Sequence, residues 1–283
     1  MSVFDSFERK HDFLICVDSD GCAMDTMNCK HFHCFGPCMV MEWELDQWRA
    51  SILERWNDVN LFQMTRGINR FKGLALALAE VDRKYTPIPG IATLERWVAE
   101  AKALSNGALA EAILAEPEGD GRRCLEKALV WSDAVNAGIV QLPDALKVPF
   151  YGALEGLAAA HGFADVAVVS SANRAAVEEE WAQHGLLEHT DILLTQDRGS
   201  KAYCIGRMLE YGYAPEKVLM VGDAPGDLEA ARKNGVWFYP ILVNQEAQSW
   251  AELRQIGFDK LLSGTYGGYQ PMKERQFLEN LGG

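Results

Sequence analysis

Two pairs of aspartates stand at the ends of apolar runs in this 283-residue chain. Asp18 and Asp20 close the run Phe13-Leu14-Ile15-Cys16-Val17 and are followed by Gly21. Asp223 and Asp227 follow the run Val218-Leu219-Met220-Val221. Four carboxylates are costly to gather unless something positive lies among them. A divalent cation bound through oxygen, beside a phosphate ester, is the chemistry such a set serves. Further polar groups follow apolar runs. Ser170 and Ser171 come directly after Val166-Ala167-Val168-Val169, and Lys201 lies a short loop beyond Ile192-Leu193-Leu194.

The runs that position these groups have strand length and no polar alternation, as buried parallel strands do. A fifth is expected over Phe238 to Val243. Helical stretches are expected between them at roughly 150–161, 173–185, 201–212 and 226–235. Alternating strand and helix predicts an α/β fold, a Rossmann-like parallel sheet whose ligands bind beyond the carboxyl ends of the strands. Residues 26–142 read differently. They carry helical spacing, as over Trp43 to Trp56 and Leu94 to Leu104, with breaks at Pro87, Pro89 and Gly90. The expected division is a core of 1–25 and 143–283, interrupted by an all-helical cap domain of 26–142. The last twenty residues, with Gly264-Thr265-Tyr266-Gly267-Gly268-Tyr269, read as loop.

Asp18-Ser19-Asp20-Gly21, Ser170, Lys201 and Gly222-Asp223-Ala224-Pro225-Gly226-Asp227 resemble, in order, the four motifs of the haloacid dehalogenase superfamily. The resemblance covers roughly 12–25 and 143–243, and the helical block resembles the cap many members carry after the first motif. It points to the branch of β-phosphoglucomutase-like and phosphoglycolate phosphatase-like members. It implies that Asp18 is a nucleophile forming an aspartyl-phosphate and that Asp20 is the acid/base for leaving group and water. It implies Mg²⁺ held by the Asp18 carboxylate, the Asp20 backbone carbonyl and Asp223, with Asp227 direct or through water. Ser170 is then a donor to a phosphoryl oxygen, and Lys201 neutralises phosphoryl charge and keeps Asp18 ionised. Asp20 favours phosphate esters over carbon–halogen bonds, because dehalogenases of the family lack this second aspartate. Cys22 departs from the family's usual Thr without removing a catalytic group.

A single Asp at a strand end is most often a turn or helix cap, and Asp227 suits the start of a helix. Ser171 and Asn173 read as caps, with Ser171 alternatively a substrate contact. Lys201 by itself would be a solvated helix lysine. The joint pattern outweighs these readings at Asp18 and Asp20.

Substrate selection falls to the helical block. Arg66-Gly67-Ile68-Asn69-Arg70-Phe71 is similar to the cap loop of β-phosphoglucomutase-like members, with Arg70 at the arginine position and Arg66 and Lys72 nearby. Either they meet an anionic substrate group or they are solvated residues at a helix start. Cys29-Lys30-His31-Phe32-His33-Cys34-Phe35-Gly36-Pro37-Cys38 concentrates potential zinc ligands without paired Cys-x-x-Cys spacing. Lys30 and His31 are candidate substrate contacts, and packing of Cys34 and Phe35 is the alternative.

Composition bounds the partners. Hydrophobic residues make up 48%, net charge is −13 and the pI is near 4.9. An acidic chain argues against nucleic acid or an anionic membrane, leaving a small phosphorylated molecule as partner. No signal-peptide run and seven unframed cysteines lead to the expectation of a cytoplasmic, reduced protein. The expected function is a Mg²⁺-dependent phosphomonoester phosphatase. Alternatives are a phosphomutase, a phosphonate hydrolase using a Schiff-base lysine such as Lys30 or Lys72, and a non-catalytic member of the fold. Oligomeric state and natural substrate are not specified by the sequence.

Overall fold

The computed structural model describes residues 3–282. In chain order it runs β1 (Phe13–Val17), α1 (Met27–Lys30), α2 (Gly36–Glu42), α3 (Arg49–Leu61), α4 (Arg70–Lys84), α5 (Ile91–Glu100), α6 (Asn106–Ala115) and α7 (Asp120–Val140). It continues α8 (Ala153–His161), β2 (Ala164–Val169), α9 (Arg174–Gln183), β3 (Ile192–Leu194), α10 (Lys201–Leu209), β4 (Val218–Gly222), α11 (Pro225–Asn234) and β5 (Trp237–Pro240). It closes with α12 (Glu246–Glu252), α13 (Phe258–Leu262) and α14 (Tyr266–Asn280).

Two compact units emerge: residues up to Met27 with those from Asp144 onward, and Asn28–Pro143. The first holds one parallel sheet in the order β3-β2-β1-β4-β5. The continuous apolar runs form its middle, where β1, β2 and β4 are buried almost throughout. Ile15 lies opposite Val166 on one side and Leu219 on the other. The chain winds outward from β1 through β2 to β3, then returns to place β4 on the other flank of β1. That reversal between β1 and β4 is the switch point where such sheets bind ligands, and both aspartate pairs follow those two strands.

β5 ends at Pro240, short of the expected Val243. After Pro240, Ile241 donates back to the Gly222 carbonyl, and the Leu242 amide donates to Ser249 Oγ of α12. The C-terminal segment is helical, contrary to the loop expected from its glycines. Helix α14 covers the β5 edge. Gln270 accepts from the Phe238 amide and Tyr266 Oη donates to the Phe238 carbonyl, each at 2.9 Å. Burial of Tyr266 and Phe277 outweighs the weak helix propensity of Gly267 and Gly268, and an otherwise bare sheet edge is satisfied.

All five strands among the described residues lie in the first unit, and the second is helical. Its core includes Trp43, Trp56, Phe71 and Trp131, with Trp48 packed against it. Helical spacing over Trp43 to Trp56 is interrupted: the chain turns after Glu42, with Glu44 at φ 55°, and resumes as α3 at Arg49. α5 stops at Glu100 rather than reaching Leu104. No helix among the described residues is long and apolar enough to cross a membrane.

Candidate active site

Asp18 is the first residue beyond β1, and its amide donates to the Val221 carbonyl of β4 at 3.0 Å. The chain then folds on itself. The Ser19 carbonyl accepts amides of Cys22, Ala23 and Met24, and Gly21 donates to the Met24 carbonyl at 2.8 Å. Gly21 has φ 84°, so the turn needs the conformation glycine adopts freely. This turn presents Asp18 and Asp20 within three residues.

Asp223 is the first residue beyond β4, and Asp227 lies in the first turn of α11. Asp227 Oδ2 accepts the amides of Asp223 and Ala224 at 3.2 and 3.0 Å. The helix-start role expected for Asp227 is therefore present, and its other oxygen does something else. A Cβ on Gly222 would lie 2.4 Å from Asp227 Cγ, so only glycine admits this carboxylate against the strand.

Lys201 opens α10, where Ser200 Oγ accepts the Tyr203 amide as cap. Its Nζ lies 2.6 Å from Asp18 Oδ2 and 2.6 Å from Asp227 Oδ1. Asp18, Asp223 and Asp227 are all buried and offer ligand oxygens within 4.8 Å of one another. Set by the protein groups alone, burial pushes the Asp18 carboxyl up to about 8, with Asp227 and Asp223 adding to the rise and Lys201 opposing it. Burial acts to lower the Lys201 ammonium, but the charges of Asp18 and Asp227 outweigh it and hold the group protonated. The Cys22 thiol is driven well above its ordinary range by burial and the neighbouring aspartates. It stays a thiol.

Asp20 stands outside the triad. Its Oδ1 accepts a 2.6 Å hydrogen bond from Thr26 Oγ1. Ser170 follows the end of β2, is buried, and its Oγ accepts the Ala172 amide at 3.1 Å. That leaves its hydroxyl proton as a donor. Ser171 is exposed, and the cap of α9 is Asn173, which accepts the Ala175 amide.

The other expected contacts belong to the helical unit. Arg66 is buried and donates to the Leu61 carbonyl at 2.7 Å. Arg70 is not a solvated helix-start cation. It donates to Asn136 Oδ1 at 2.7 Å and Ser132 Oγ at 3.1 Å, and it lies 5.1 Å over the Phe35 ring. Burial lowers its guanidinium pKa, with Asp133 opposing. His31 stacks on Phe35 at 4.6 Å, and its Nδ1 accepts the Trp56 indole N–H at 3.0 Å. Lys30 is buried. The Cys/His segment runs helically from Met27 to Glu42, with Cys29 and Cys34 in the unit's core. Among the described residues, the one cluster of three potential ligands is the aspartate triad, so the cysteines gather no zinc set.

Two groups at the site carried no motif signal: Thr26 on Asp20, and Trp181, whose indole donates to Ser19 Oγ at 2.8 Å. Val177 and Trp181, spaced by four, mark the buried face of α9. That spacing identifies the burial but not the partner.

Residues 131–241 match the family model described as "Haloacid dehalogenase-like hydrolase". No curated protein matches the chain significantly. Among solved structures, it is similar to a haloacid dehalogenase-like family hydrolase from Xanthomonas campestris, at 15% identity and TM-score 0.48, over 95% of this chain and 98% of that one. A predicted phosphoglycolate phosphatase from Haemophilus somnus matches at 15% identity and TM-score 0.41, over 81% and 85%. The L-2-haloacid dehalogenase from Xanthobacter autotrophicus matches at 15% identity and TM-score 0.40, over 80% and 76%.

Proposed function

We propose that this chain, a haloacid dehalogenase-like hydrolase, is a Mg²⁺-dependent phosphatase of small phosphomonoesters. The observation that carries the reading is the Asp18 carboxylate, held by Lys201 inside a buried triad, with a second aspartate two residues on. Hard carboxylate oxygens packed within 4.8 Å suit Mg²⁺, which takes few protein ligands and keeps waters. Asp18 and Asp223 would hold it, with the Asp20 carbonyl, and Asp227 directly or through water. When bound, the ion supplies charge neutralisation at the phosphoryl oxygens.

The protein's own groups divide the remaining work. Asp18 attacks phosphorus, giving an aspartyl-phosphate as the alcohol leaves. Asp20 protonates that alcohol, then takes a proton from the water that attacks the intermediate. Thr26 holds Asp20 for this exchange. Lys201 and the Ser170 hydroxyl receive the phosphoryl oxygens. The chain leaves the α/β unit at Met27 and re-enters it at Asp144, which suits a helical unit that selects substrate. Arg70 and His31, ordered on Phe35, are its candidate contacts with Lys30 and Arg66, and exposed Ser171 is one from the core. The test is a phosphate-ester panel with Mg²⁺: wild type turns over, while Asp18→Asn loses at least about 10³-fold in kcat. Full activity in Asp18→Asn would remove the nucleophile.

A further inference from the structure

Ser19 separates the two aspartates assigned to attack and proton transfer. Every polar group on it is engaged. Its amide donates to Asp18 Oδ1 at 2.7 Å. Its carbonyl accepts the amides of Cys22, Ala23 and Met24 at 3.2, 2.9 and 2.9 Å. Its Oγ accepts the indole N–H of Trp181 at 2.8 Å. Ser19 and Trp181 are both fully buried.

We infer that Trp181 is a positioning residue for the nucleophile, acting through Ser19; the inference rests on the assignment of Asp18 as nucleophile. An indole nitrogen is a donor only, and a buried donor must find an acceptor. The acceptor here sits on the residue whose amide touches one oxygen of Asp18, while Lys201 touches the other. Fixing Ser19 Oγ fixes the Ser19 rotamer and restrains the peptide planes on either side. Those planes aim Asp18 and Asp20 in their different directions. Away from water, such a bond is held more strongly than at the surface. α9 supplies this anchor from the far side of β2 in sequence, so the nucleophile turn is not left to its own short-range bonds.

Trp181 also packs in the core of the α/β unit, and a purely structural role is the competing account. Kinetics separate them. Trp181→Phe keeps an aromatic ring and removes the N–H; Ser19→Ala removes the acceptor alone. Each is expected to lower kcat about tenfold, since small displacements of a reacting group are costly. KM should stay within about twofold, the signature of a contact that matters in the transition state rather than in substrate binding. Trp181→Phe/Ser19→Ala should lose no more than the worse single variant, because both sever one link. Unchanged kcat, a loss confined to one variant, or losses that multiply would overturn the inference, whatever happens to the melting temperature. Should Trp181→Phe not fold, Ser19→Ala decides alone: kcat loss at constant KM supports, unchanged kcat overturns. Asp18→Asn runs beside them. If it turns over like wild type, the nucleophile assignment fails; if it is inactive while both single variants are normal, only the role of Trp181 fails.

Discussion

Lys201 touches Asp18 and Asp227 at the same 2.6 Å, and this shared ammonium makes the two strand-end motifs one site. Asp20 is treated differently. It lies outside the buried triad and accepts a hydrogen bond from the Thr26 hydroxyl, and the proposed reading gives it the proton transfers. Asp20→Asn should therefore lower kcat about 10²–10⁴-fold for an alkyl phosphate. The loss should be much smaller for p-nitrophenyl phosphate, whose leaving group departs without a proton. Equal losses on both esters would deny Asp20 its role as acid. Asp18, Asp20, Asp223 and Lys201 were legible in the sequence because each stands just past an apolar run or opens the helix beyond one. Thr26 and Trp181 were not: their contacts depend on how the turn after β1 and the helix after β2 come together, and neither leaves a spacing in the chain.

At the scale of elements, the apolar strands β1 to β4 are legible with nearly their full bounds, since short continuous apolar runs alternating with helical stretches suit buried parallel strands. The C-terminal helix was missed for a physical reason. Glycines 264, 267 and 268 argue against a helix locally, and only the unsatisfied edge of β5, with the room Tyr266 and Phe277 fill, favours one. Close packing also explains a glycine inside a helix. A Cβ on Gly156 of α8 would lie 2.5 Å from Trp250 Cε3 and 2.8 Å from Cζ3. Both partners are buried, and the Trp250 indole donates to the Cys22 carbonyl in the turn after β1. Gly156→Ala should destabilise the protein by about 1–3 kcal/mol as the indole is displaced, despite alanine's better helix propensity. Chemical denaturation measures it, and an unchanged midpoint would mean that the tryptophan moves freely.

For the whole molecule, three buried carboxylates, proposed as a cation site, would link metal, pH and stability. With protein groups alone, the native Asp18 keeps a proton up to about pH 8, whereas the unfolded chain has released it well below that. The native state then binds more protons, so stability falls as pH rises through this window. On the proposed reading, Mg²⁺ would favour the ionised carboxylate and bind only the folded site. The melting temperature without divalent ions should decline between about pH 5 and pH 8, and Mg²⁺ should raise it most at the upper end. Asp223→Asn should abolish the Mg²⁺ effect. A melting temperature indifferent to Mg²⁺ at pH 8 would contradict a metal at the triad.

The central claim is a phosphoryl group carried on Asp18, and an acyl phosphate can be reduced where it stands. Quenching the wild-type enzyme during turnover of a phosphate ester with Mg²⁺, then treating it with borohydride, converts an aspartyl-phosphate to homoserine. Peptide mass spectrometry should find homoserine at position 18, dependent on substrate and absent from Asp18→Asn. Steady phosphate release with position 18 never reduced, or with the modification on another residue, would contradict the account.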